Sequence, residues 1–275
     1  MMKFEKKRIL TALLLLAFGA AVSFAGFHAG KAGNTEYTEQ TTDAAVTDAV
    51  QSPTAGTETV KQTDESGRTT VDFALLTAQN PDIYAWITVP GTAIDYPVLQ
   101  KSGTENLYDN YYLDHTADLA EGLPGAIYSQ PVNRPDFSDP VTVLYGHNMK
   151  NGTMFSGLHS FTDPDFFREN TQVIIYTPDR TLIYEIFAAT DFSDALLPYE
   201  YDFTRDTGLR KYLGDVEQCE GNFREEIRIP EGAKILTLST CYSDREDRRL
   251  LVHALLTGTQ AAASKSTTPL QATGD

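Results

Sequence analysis

Residues 234–256 read KILTLSTCYSDREDRRLLVHALL. Ile235, Leu236, Thr237 and Leu238 form a run of apolar and β-branched residues, and residues 250–256 form a second. The polar stretch YSDREDRR lies between them. Two strands joined by so short a connection pair antiparallel. The start of the second then faces the end of the first, which brings Arg248 and Arg249 close to Cys241. Side chains alternate along a strand, so only one of the two arginines can share the cysteine's face.

The same type of segment recurs upstream. Residues 83–89, 94–99, 141–145, 173–177 and 182–189 are short, rich in β-branched or aromatic residues, and separated by Gly, Pro, Asp and Asn. Residues 73–79 predict a short helix stopped by Asn80-Pro81. Further helices are expected over 165–170 and about 204–216, the latter from Leu209, Tyr212, Leu213 and Val216 at helical spacing. Many strands with few intervening helices predict a mainly β fold, a barrel or sandwich with peripheral helices. A doubly wound parallel sheet would need a helix in most connections. Residues 71–258 carry the single Trp and nearly all Phe and Tyr, enough for one core. Residues 31–70 and 259–275 almost lack large apolar side chains and are expected to be a disordered linker and tail.

Residues 9–27, ILTALLLLAFGAAVSFAGF, carry no charge. At about 1.5 Å per residue such a helix just spans a hydrocarbon core. Lys3, Lys6, Lys7 and Arg8 precede it, so residues 1–30 read as a cytoplasmic stub and transmembrane anchor, with the rest of the chain outside the cell. A cleaved signal peptide ending near Ala25 is the competing reading. Residues 1–30 hold a surplus of +3, four basic residues against Glu5, so the total of -16 leaves -19 for the remainder. That field disfavours nucleic acid or anionic lipid as a partner of the folded domain.

Three side chains make a coherent chemical set. Cys241 ends a strand and begins a loop, a setting more exposed than a packed structural cysteine takes. His147 is placed in the same way, in VTVLYGHNM. Of the other histidines, His28 flanks the apolar segment, His115 and His159 lie among ordinary loop or helix residues, and His253 sits inside the last strand as a core histidine would. A nearby cation favours the thiolate, which is the nucleophilic form. A fixed arginine could stabilise the oxyanion that follows attack on a carbonyl, and an imidazole could move the proton. Taken singly, each residue has a plainer reading: a buried thiol, a hydrogen-bonded surface histidine, a solvated arginine pair. A disulfide between Cys241 and Cys219, which follows the helical KYLGDVEQ, would remove the nucleophile altogether.

TLSTC (237–241) followed by Arg at the head of the next strand, with YGHNM (145–149) upstream, resembles the class B sortases. The likeness extends through NPDIYAWITVPGTAIDYPVLQ (80–100), DNYYLDH (109–115), NGTMFSGLHSF (151–161) and DPDFFREN (163–170). It implies an eight-stranded sortase-like β-barrel on the outer face of a Gram-positive membrane. Such an enzyme cleaves a C-terminal sorting signal of secreted proteins through a thioester. It then passes the acyl group to an amine of a peptidoglycan precursor or a pilin, and needs no cofactor or metal. By position in the motifs, Cys241 resembles the nucleophile, His147 the acid/base and Arg249 the oxyanion residue, with Arg248 as the alternative. Ser239, Thr240 and Tyr199 (or Tyr201) resemble substrate contacts. Near Asn110 the spacing is one residue shorter than the usual pattern. The rival readings are another exported cysteine protease or acyl-transferase, such as an L,D-transpeptidase, and a non-catalytic surface-binding module.

Overall fold

In the computed structural model the described residues are Met2–Lys3 and 60–262. The apolar segment 9–27, most of the linker 31–70 and the tail beyond 262 lie outside them. Among the described residues no helix is long and apolar enough to cross a membrane.

Nine strands make one sheet among the described residues: β1 (Ile83–Thr88), β2 (Asp95–Leu99), β3 (Ile127–Tyr128), β4 (Val141–Tyr145), β5 (Gln172–Tyr176), β6 (Arg180–Ser193), β7 (Gly221–Phe223), β8 (Ile235–Cys241) and β9 (Arg248–Ala261). Neighbours run β7-β6-β9-β8-β4-β3-β2-β1-β5, and β5 pairs again with β6. Eight strands therefore close into a barrel, and β7 adds to it through β6. Closure leaves no barrel strand with an unpaired edge row. All pairings are antiparallel except β8 with β4 and β2 with β3.

Alternation along the strands fills two cores. Leu144, Leu236, Leu238, Leu250, Val252 and Ala254 point into the barrel. Val141, Val143, Ile235, Leu251 and Leu255 point outward and meet Leu209, Tyr212, Leu213 and Val216. Those four lie on α4 (Asp206–Val216), at the spacing that predicted it. Burying each such apolar side chain stabilises by about 2 kcal/mol. The outer face of the barrel is thus roofed over β4, β8 and β9, and β8 is buried along its length up to exposed Cys241. The remaining helices are α1 (Phe73–Gln79), α2 (Pro164–Glu169) and α3 (Leu197–Glu200), with 3₁₀ turns at Tyr111–Leu113 and Phe155–Thr162.

Two boundaries differ from expectation. Lys61–Thr63 pairs with Thr69–Val71, so ordered chain is present by residue 60 and not only from Val71. The hairpin has almost no apolar face. It is fastened by Lys61, which ion-pairs with Asp95 at 2.5 Å and donates to Thr88 Oγ1, a contact that composition does not reveal. β9 also runs to Ala261, past the expected end at Gly258, because long β6 gives it a partner throughout.

His253 is the packed core histidine that its strand position suggested. It is fully buried, with Nε2 3.0 Å from Thr190 Oγ1 and Nδ1 3.1 Å from Tyr212 Oη. Burial pushes its pKa down to about 3. An unfolded chain binds a proton at this residue below about pH 6.5, while the folded chain stays neutral down to about pH 3, so stability falls as the pH drops across that window. This residue alone should remove about 2 kcal/mol between pH 7 and pH 5. Urea unfolding at the two pH values should show a smaller loss in His253→Asn than in the native chain; equal losses would disprove the assignment.

Candidate active site

β8 lies between β4 and β9, and the two registers decide what stands beside Cys241. On the β9 side Cys241 is directly opposite Arg249. On the β4 side Ser239 is level with Tyr145, and the chains stay together past that pair: Gly146 N–H donates to Ser239 carbonyl at 3.2 Å and Thr240 Oγ1 donates to Gly146 carbonyl at 2.8 Å. Two residues on from Ser239 and Tyr145 are Cys241 and His147. Cys241 and Arg249 are therefore neighbours across adjacent strands, and His147, two residues past the end of β4, follows the Gly146 segment that bonds to the end of β8. By alternation Cys241 shares a face with Ile235 and Arg249 with Leu251, which is the outer face.

Gly146 is the residue that lets β4 end this way. A Cβ there would lie 2.5 Å from Ile127 Cδ1 and 2.8 Å from the Phe155 ring, so a larger residue would displace the approach to His147.

His147 and Arg249 are each held from one side. His147 Nε2–H donates to Leu113 carbonyl at 2.6 Å, which leaves Nδ1 for proton exchange. Arg249 Nη1 donates to the carbonyls of Glu246 and Arg248 at 2.8 and 2.9 Å. Arg248 faces the other way: its Nε is 2.5 Å from Asp191 Oδ1 and its guanidinium also donates to Asp191 carbonyl. The register thus separates the two arginines, with Arg249 alone on the cysteine's face. Both cysteines are free thiols, so no disulfide blocks Cys241.

The residues with candidate binding roles differ in availability. Burial, then the nearby Cys241 sulfur, hold the Tyr128 phenol well above its ordinary pKa. Tyr128 stacks on Tyr145 and donates to Asn110 Oδ1, which also accepts from Gln130. Asn110 therefore acts in the site wall despite the shortened spacing around it. Ser239 and Thr240 are buried. Tyr199 is 71% exposed and stands edge-on to Tyr108, whereas Tyr201 is 7% exposed and donates to Asp215. Tyr199 is the one of the two that solvent can reach. Both line a cavity of about 280 Å³ together with Tyr108, Val132, Asn133, Pro198 and Phe203.

His159 is a neighbour the sequence did not mark. Its Nε2–H donates to Cys241 carbonyl at 3.1 Å, its ring stands edge-on to Tyr242, and burial lowers its pKa. The residues between 159 and 241 hide that contact in the linear sequence. The only signal was the resemblance running through NGTMFSGLHSF.

The sortase domain family matches residues 87–257. Sortase B of Listeria monocytogenes is 29% identical over 190 residues, 69% of this chain and 75% of the relative. The crystal structure of Clostridium perfringens sortase B is 31% identical with a TM-score of 0.61, over 68% of this chain and all of that one. A class B sortase of Streptococcus pyogenes involved in pilus biogenesis is 27% identical with a TM-score of 0.57, over 68% of this chain and 98% of its own. The barrel and these likenesses agree: the chain belongs to the sortase family of cysteine transpeptidases, in class B.

Proposed function

We propose that this sortase cleaves a C-terminal sorting signal of secreted proteins and transfers the acyl fragment to an amine of a peptidoglycan precursor or a pilin, using Cys241, His147 and Arg249. The observation that carries the assignment is the pairing of Cys241 with Arg249 across β8 and β9, with His147 just past the end of β4 on the other side of β8.

The Cys241 sulfur, its proton passed to His147, attacks the scissile carbonyl carbon. The carbonyl oxygen becomes an oxyanion, which the Arg249 guanidinium stabilises. Collapse breaks the C–N bond, His147 returns a proton to the leaving amine, and a thioester remains on Cys241. The acceptor amine then attacks the thioester and gives its proton to His147, and the thiol is restored. Water in place of the amine would give hydrolysis, the protease outcome.

Tyr199 is the proposed substrate-facing aromatic, since it is exposed beside a cavity. Ser239 and Thr240 would act from beneath the peptide, through the strand end whose shape Thr240 fixes by its bond to Gly146. Family membership sets aside the non-catalytic module and the L,D-transpeptidase reading. The working site is extracellular in this proposal, with residues 9–27 as the single membrane anchor. Such insertion places Lys3 across the membrane from the barrel, so the pairing of Met2–Lys3 with Arg228–Ile229 would be absent in the inserted protein.

A fluorogenic pentapeptide library, run with and without a primary amine, should yield an acyl-amine product. Cys241→Ala should abolish turnover, and His147→Ala and Arg249→Ala should each lower kcat by roughly 100-fold or more. Turnover by Cys241→Ala, or activity insensitive to both other substitutions, would sink the assignment. For the anchor, full-length chain should stay with membranes through alkaline extraction and a chain lacking residues 1–30 should not. Recovery of full-length chain in the wash, or a mature N-terminus after Ala25, would replace the anchor with a cleaved signal.

A further inference from the structure

The loop of residues 242–247 joins the strand of Cys241 to the strand of Arg249. In its sequence, YSDRED, only Tyr242 packs against the barrel core, so the rest of the loop needs other ties to hold one conformation. Those ties converge on Asp191 of β6. Arg245 of the loop ion-pairs with Asp191 Oδ2, and Arg248, just after the loop, pairs with Asp191 Oδ1 at 2.5 Å and with its carbonyl at 2.8 Å. The Arg245 guanidinium also lies 3.9 Å from the Tyr242 ring centroid, and Asp194 N–H donates to Asp247 carbonyl at 3.0 Å. Asp191 lies opposite Leu250 in the β6–β9 register, one residue from the position opposite Arg249. Alternation therefore puts Asp191 on the face that Arg248 uses and Cys241 does not.

The Asp191 carboxylate is largely shielded from solvent, at 17% side-chain exposure, where charge-assisted bonds to two guanidinia are stronger than on open surface. Arg249 Nη1 docks on the carbonyls of Glu246, next to Arg245, and of Arg248 at 2.8 and 2.9 Å. We propose that Asp191 is a positioning residue for Arg249: through Arg245 and Arg248 it holds the loop on which the Arg249 guanidinium rests beside Cys241. Asp191 touches neither sulfur nor substrate in this scheme. The inference rests on the reading of Arg249 as the oxyanion cation.

The test is a double-mutant cycle on the best peptide from the fluorogenic library, with hydroxylamine as acceptor. Asp191→Asn should lower kcat roughly 10- to 100-fold, the range expected when a catalytic group is misplaced by about 1 Å. KM should stay within about two-fold, because Asp191 acts on Arg249 and not on substrate binding. In the Arg249→Ala background the same substitution should do nothing further. Arg245→Gln removes one tie from an exposed side chain and leaves the Asp191 carboxylate intact, so it serves if Asp191→Asn fails to fold; it should show the same dependence on Arg249. An undiminished kcat in Asp191→Asn, or an equal fold-loss with and without Arg249, overturns the proposal. Full activity of Arg249→Ala by itself would overturn the oxyanion reading and the brace together, an outcome visible before Asp191 is touched.

Discussion

The pairing of β8 with two different neighbours, parallel to β4 and antiparallel to β9, is the constraint on which the site depends. His147 comes from a segment far upstream of Cys241 and Arg249, and no local motif could hold it beside them. A strand in the middle of a closed sheet has both registers fixed by its ladders, and a slip of one residue would turn every side chain to the other face. Here a slip would bury the cysteine in the barrel and bring Arg248 in place of Arg249. Leu236 and Leu238 inside, with Ile235 outside, make that slip costly because both faces of β8 are packed.

The packing of the outer face follows from the same requirement. Most barrels could leave that face wet, but here α4 covers it, and His253, Thr237 and Thr190 are sealed beneath Tyr212 with their polar atoms bonded to one another. Satisfied polar groups in a dry layer hold one arrangement, because any slip leaves donors unpaired. The roof ends where β8 ends, and Cys241 emerges there. Exposure of the thiol and burial of the strand behind it are therefore one feature of the architecture.

The strands that carry the site were legible because they are long, apolar and bounded by turn residues. The helix of residues 73–79 was legible to the residue, since Asp72 caps one end and Asn80-Pro81 stops the other. The elements that escaped are those with little pattern of their own: β3 and β7, two and three residues long, and the 3₁₀ turn over His159, which exist only because a neighbouring strand or core receives them. Which arginine shares the cysteine's face was half legible. Alternation said that only one could serve, yet which one needed the register, and the motif pointed to it for a different reason. The tie from Asp191 had no sequence signal, because an Asp in the middle of TDFSDA looks like any polar strand-end residue.

A common device runs through the whole rim. His147 leans on Leu113 carbonyl, Arg249 on Glu246 carbonyl, Thr240 on Gly146 carbonyl, and the Cys241 carbonyl is itself held by His159. Backbone acceptors carry no net charge, so they can orient an imidazole or a guanidinium without neutralising it, as a carboxylate in the same place would. The one carboxylate in the network, Asp191, is spent on Arg245 and Arg248 across the sheet from the sulfur. In a chain with a net charge of -16 that division has a consequence: under the proposed mechanism the Arg249 guanidinium keeps its field for the charge that develops during acyl transfer, and the carboxylate that pins the loop does so from the opposite face.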